Sequence, residues 1–159
     1  MGISRAAFGF FVDMPTSWSS SWLYGLPLIV LTVVCHVLGL GLISRTAVSA
    51  SGATILSRRP MFEFVVVMGA TTLLATSLHG IEAAIWAVAY RLLGALPDFK
   101  DAMLYSLNAI TSYGHENLDL AKHFRLMGAI EALNGLLLFG LSTAFLFSVI
   151  ERIRPSGSA

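Results

Sequence analysis

Apolar positions in this chain come in long unbroken runs rather than in the alternating stripes of a surface helix. Trp22–Ile43 holds no charged residue, Phe62–Leu93 holds only Glu63, Glu82 and Arg91, and Leu126–Ile150 holds only Glu131. A membrane span takes roughly 20 predominantly apolar residues. The pattern therefore predicts three transmembrane helices, over about 22–43, 62–93 and 124–153, the second and third long enough to tilt.

The stretch between the second and third runs, 97–120, breaks this pattern. From Asp98 to about Thr111 it reads as a short amphipathic helix, and it ends in the polar turn Thr111-Ser112-Tyr113-Gly114-His115-Glu116. Pro97 and Asp98 mark the helix start, and Asp101 lies where an acid favours the N-terminal end of the helix dipole. Non-helical backbone at membrane depth is tolerated only where protein buries it or where it lines a water-filled cavity. The expected fold is thus an all-α membrane protein of three transmembrane helices, with a re-entrant helix and loop between the second and third. Residues 1–20, where Arg5, Asp13, Pro15 and a serine-rich stretch interrupt the apolar pattern, are expected to form a short interfacial segment rather than a signal peptide. Residues 21–159 then make one domain, with Thr46–Ser57 as a small-residue linker and no internal repeat.

Composition strengthens the membrane reading. Of 159 residues 56% are hydrophobic and only 12% charged, about half the charged share of a soluble domain. A net charge of +1 gives no field for nucleic acid, and the single Cys35 has no intrachain partner. Local charge is more telling. Arg45, Arg58 and Arg59 between the first two spans, with Arg152 and Arg154 after the third, place those segments in the cytoplasm by the positive-inside rule. Asp98, Asp101, Glu116 and Asp119 then face outside, as does the N-terminus, in a multi-pass protein of the cell membrane. Trp18, Trp22 and Tyr24 before the first span, with Trp86 and Tyr90 late in the second, are expected at the same outer level as an aromatic belt. A half-helix entering from outside points the negative end of its dipole inward, which favours a cation over an anion.

At this level of detail the chain resembles the bacterial potassium-channel pore domain, in a form with an extra leading helix. The matching residues are His36-x-x-Gly39-Leu40, then His79-x-x-Glu82-x-x-x-Trp86 with Ala89-Tyr90, then Tyr105-Ser106 through Thr111-Ser112-x-Gly114, and Gly128-x-x-Glu131-Ala132-Leu133-x-Gly135-Leu136. The resemblance implies a homotetramer in the lipid bilayer around a selectivity filter. The family filter reads T-x-G-Y-G-D, whose backbone carbonyls replace the hydration shell of potassium. Here Ser112, Tyr113, Gly114, His115, Glu116 and Asn117 stand at those positions. Glutamate replaces a glycine, and four Glu116 carboxylates would ring the outer mouth. This implies weakly selective passage of potassium or sodium, with possible divalent binding at the ring. The Tyr113 ring is expected to pack behind the filter. Asn108, Thr111, Asn117 and Glu131 are implied as filter support, Glu131 through the re-entrant helix backbone or Asn108. Asn134 either faces a cavity or bonds between helices.

His79 and Glu82 share one face of the second span, and His36 meets them if the first span packs there. A buried hydrogen-bond network fastening that span to the body is the expected role, with a metal site as the alternative and no resident metal or cofactor required. The reading that results is passive cation conduction. The alternative is a non-conducting protein that keeps the architecture for assembly or sensing. Catalysis is not expected, because no nucleophile or H-E-x-x-H motif accompanies the histidines. A secondary transporter would show repeats, and a voltage sensor an arginine-rich span.

Overall fold

A computed structural model describes the backbone of residues 5–52, 60–114 and 118–153, and the side chains of 18–49, 61–114 and 118–153. Among the described residues every regular element is helical. The order is α1 (Arg5–Gly52), α2 (Pro60–Leu92), α3 (Phe99–Ile110), a single 3-10 turn (Lys122–Phe124) and α4 (Arg125–Ile153). Stretches of α1, α2 and the last turn plus α4 are long and apolar enough to cross a membrane: Trp18–Ser49, Met61–Leu92 and Lys122–Ile153. His115, Glu116 and Asn117 lie outside the described residues.

The first helix is longer than the hydrophobic pattern suggests. Its backbone continues from Arg5 through Pro15 and the serines without a break and runs past Ile43 to Gly52, so neither a separate interfacial helix nor a linker starting at Thr46 is present. A proline deletes one backbone hydrogen bond and bends a helix, but does not oblige it to stop. At the other end the Thr46 hydroxyl donates back to the Ile43 carbonyl at 2.8 Å, and the next residues contain no proline.

The short helix α3 is defined at both ends by local chemistry. Asp98, in extended conformation, accepts a hydrogen bond from the Lys100 backbone N–H at 3.0 Å, and Asp101 adds its charge to the first turn. At twelve residues α3 is about 18 Å long, well short of the roughly 30 Å hydrocarbon core.

The chain divides into two compact units. The first combines the residues up to Thr32 with Ala83–Leu136. Its core is Trp86, Ala87, Tyr90, Ala102, Tyr105, Ala109, Phe124, Met127 and Ile130, with Leu28 and Ile29 packed against it. Trp86 and Tyr90 are wholly buried there, which corrects their expected place in an outer aromatic belt: their rings are 6.1 Å apart, and Tyr90 meets Tyr105 edge-on at 5.4 Å. Trp18, Trp22 and Tyr24 are exposed. The second unit combines Val33–Glu82 with the residues from Leu137 onward. Its apolar cluster is small, Leu40, Ile43 and Ala75 with Leu78 and Phe145 against it, and a polar group described below occupies much of the remaining interior.

Candidate functional site

The loop after α3 is built by the way that helix stops. Helix ends leave backbone carbonyls without partners, and here the chain folds back to satisfy them. The Ser112 N–H donates to the Ala109 carbonyl at 2.9 Å, and the Tyr113 N–H donates to the Asn108 carbonyl at 3.0 Å. These two bonds form the Schellman pattern, which needs a left-handed residue just past the cap. Ser112 supplies it with φ 54, where glycine is usual, and Gly114 is left-handed as well at φ 96. Positive φ therefore falls on Ser112 and Gly114. The carbonyls of Asn108 and Ala109 are committed to the loop's own N–H groups.

Thr111, Ser112, Tyr113 and Gly114 are all exposed in the single chain. The Tyr113 ring is 84% exposed in the single chain. The Thr111 hydroxyl donates to the Leu107 carbonyl at 2.6 Å, and Asn108 is half-buried.

Against α3 lies a fully buried carboxyl. Glu131 of α4 receives the Tyr90 hydroxyl on Oε2 at 2.7 Å and meets the Ser106 hydroxyl on Oε1 in a short hydrogen bond. Its partner on α3 is thus Ser106, not Asn108 or the helix backbone. The Ser106 hydroxyl also donates to the Ala83 carbonyl at 2.7 Å. One hydroxyl hydrogen facing two acceptors leaves the set one proton short, and a proton on Glu131 completes it. Residues of α2, α3 and α4 are tied at this one point.

Two glycines let α4 come this close. A side chain at Gly135 would collide with the backbone of Ile110, and one at Gly128 would collide with the Tyr105 hydroxyl. Burial, the largest cause, pushes the Tyr105 phenol up to about 12, so it stays uncharged against α4. One turn from Glu131, Asn134 is wholly buried and its amide donates to the Thr32 hydroxyl at 2.8 Å; Thr32 in turn donates to the Leu28 carbonyl at 2.8 Å. Asn134 therefore bonds between helices, the second of its two expected roles, although its Oδ1 has no partner.

The second unit holds the other polar group. His36 Nδ1 lies 2.6 Å from Glu82 Oε1, and His79 Nδ1 lies 3.1 Å from Glu82 Oε2. The other nitrogen of each ring meets one hydroxyl, Ser142 Oγ, at 3.1 Å from His36 and 3.0 Å from His79. Phe139 stacks on the His79 ring at 4.3 Å. The three residues suspected from sequence do meet. Ser142, which completes the ring of contacts, gave no sequence signal, being one of two serines in an apolar helix.

Tyr90 and Ser106 were likewise unassigned as partners of Glu131. The signal available was that an acid inside a span must find donors, and both residues lie in the stretches that carry the family resemblance.

Among the described residues these features define a class: an all-helical, multi-pass membrane protein with three helices long and apolar enough to span, a capped half-length helix between the second and third, and two buried carboxyl-centred polar groups. No family model, curated protein or solved structure matches the chain.

Proposed function

We propose that this protein is a passive cation channel with a potassium-channel-like pore loop, working as a homotetramer of weak selectivity. The observation that carries the reading is α3 with its loop: a helix too short to span, capped at both ends, stopping at two left-handed residues, and set between two long apolar helices. Such a loop is costly in lipid unless it faces protein or water. Thr111–Gly114 are exposed in one chain, and neighbouring copies around an aqueous axis would supply both partners.

The Glu131 group supports the same reading. It binds α3 to α2 and α4 through hydroxyls, which would hold a filter backbone still against its ions. In this proposal Ser112, Tyr113 and Gly114 present carbonyls to the ion, Thr111 and Asn117 flank them, and His115 with Glu116 forms the outer mouth. Glu116 would attract cations there and bind divalent ions when four copies converge.

Reconstitution into potassium-loaded liposomes tests this. The expected result is a cation leak that Gly114→Ala abolishes and Glu116→Gln re-tunes, with divalent block weakened in the latter. Absence of flux across pH and voltage, together with a detergent-solubilised mass that is not fourfold, would overturn it.

A further inference from the structure

The contacts of the His36, His79, Glu82 and Ser142 group do not close by hydrogen bonds alone. His79 Nδ1 and Glu82 Oε2 are buried, 3.1 Å apart, and neither has a hydrogen-bond partner. The distance suits a hydrogen bond but the direction does not. Two lone-pair-bearing atoms thus converge on one small volume inside the protein. His36 Nδ1 approaches the other oxygen of the same carboxylate, and the ligand atoms of all three residues lie within 4.8 Å of one another.

Both Nε2 atoms turn the opposite way, onto the single Ser142 hydroxyl. That oxygen has two lone pairs and can accept an N–H from each ring at once. With both Nε2 atoms protonated, both Nδ1 atoms are free to act as ligands on the same side. A metal-ligating histidine is regularly oriented by such an outer hydrogen bond, and here one hydroxyl orients two.

We propose that His36 Nδ1, His79 Nδ1 and the Glu82 carboxylate bind one zinc ion, oriented by Ser142. Two imidazoles and one carboxylate form an established zinc ligand set, with the fourth position left to water. In a tetrahedral site with bonds of about 2.0–2.1 Å, neighbouring ligand atoms stand about 3.3 Å apart. The 3.1 Å from His79 Nδ1 to Glu82 Oε2 is already near that value and makes Oε2 the bound oxygen, while His36 Nδ1, 2.6 Å from Oε1, turns to the ion when the shared proton leaves. The stacked Phe139 ring closes one side of His79, which favours four ligands over the six oxygens that magnesium prefers. The ion joins α1 to α2 and, through Ser142, to α4 within the second unit. The inference stands independently of ion conduction.

Protein purified without a polyhistidine tag, stripped with chelator and retitrated with zinc, should take up one ion per chain, and zinc-edge X-ray absorption should show two imidazoles in the first shell. His79→Gln and Glu82→Gln should abolish uptake. Ser142→Ala, which leaves the ligands intact and is the milder change, should weaken it 10–100-fold while retaining helicity. Failure of the stripped wild type to bind zinc more tightly than His79→Gln would overturn the proposal, as would a spectrum without histidine. A thermal midpoint that follows pH but ignores zinc would also overturn it and make a proton the occupant.

Discussion

Glu131 in the first unit and Glu82 in the second are both fully buried carboxyls on long apolar helices, yet their surroundings differ in kind. Glu131 is met by hydroxyls, which rotate their hydrogens to suit, and both of its oxygens have hydrogen-bond partners. Glu82 is met by imidazoles, whose two nitrogens are fixed in one plane, and one of its oxygens faces an unpartnered nitrogen. Burial of an acid in a span does not itself state its role. A carboxyl closed by hydroxyls reads as a fastening, whereas one opposed by ring nitrogens has affinity left for a cation.

The strongest break of this comparison is removal of each carboxyl. Leaving the buried partner of an ionic group uncompensated costs about 3–5 kcal/mol, and Glu82→Ala, which strands His36, is expected in that range by reversible denaturation in mixed micelles. Glu131→Ala strands the Tyr90 hydroxyl and part of the Ser106 pairing. At about 1–3 kcal/mol for a buried unsatisfied group, it should fall somewhat below Glu82→Ala. Amide replacement then separates the two groups. In Glu131→Gln the carbonyl accepts from Tyr90 and the amide donates to Ser106, so the loss should stay under about 1 kcal/mol. Glu82→Gln should recover little of the stability lost in the alanine variant, because an amide oxygen is a weaker partner than a carboxylate for the proton shared with His36. Equal losses for the two glutamine variants would erase the distinction.

Next in size is Gly135→Ala. The new methyl meets the Ile110 backbone rather than a flexible side chain, so α3 must move or α4 must bend. Overpacking typically costs about 1–3 kcal/mol, and the rigid obstacle puts this case at the upper end. Gly140→Ala, where nothing lies within 4 Å, is the matched control and should be neutral or mildly stabilising through helix propensity. The pair separates packing against α3 from helix flexibility as the reason for glycine in α4.

Much of this architecture was legible because the signals were local. Uncharged runs mark the spans, and Asp98 with Asp101 marks the start of α3 within a residue of where it lies. His36, His79 and Glu82 could be grouped because His79 and Glu82 are one turn apart. What stayed hidden was the direction in which a helix faces. Helices that are apolar all round carry no stripe from which to tell lipid from protein, so Tyr90 and Trp86 passed for belt residues and nothing singled out Ser142. The place where α3 ends, at about Thr111, was legible as well, but not the way it ends: Ser112 takes a conformation usually left to glycine, which only the backbone bonds to Asn108 and Ala109 reveal. Residues 115–117, on which ion selectivity was expected to turn, lie outside the described residues.

The smallest effect sharpens the same contrast within the first unit. Thr32→Val keeps shape but removes the hydroxyl that accepts from the Asn134 amide, leaving that buried amide without its partner. Interhelical hydrogen bonds in membranes average only about 0.6 kcal/mol by double-mutant cycles, so a loss near that value is expected. Asn134→Leu alone should cost little, because it also removes the unpartnered Oδ1, and the double variant should show coupling of similar size. Coupling several times larger would mean that Asn134 and Thr32 do more than join helices, and would move them from the fastening kind of polar group toward the kind represented by Glu82.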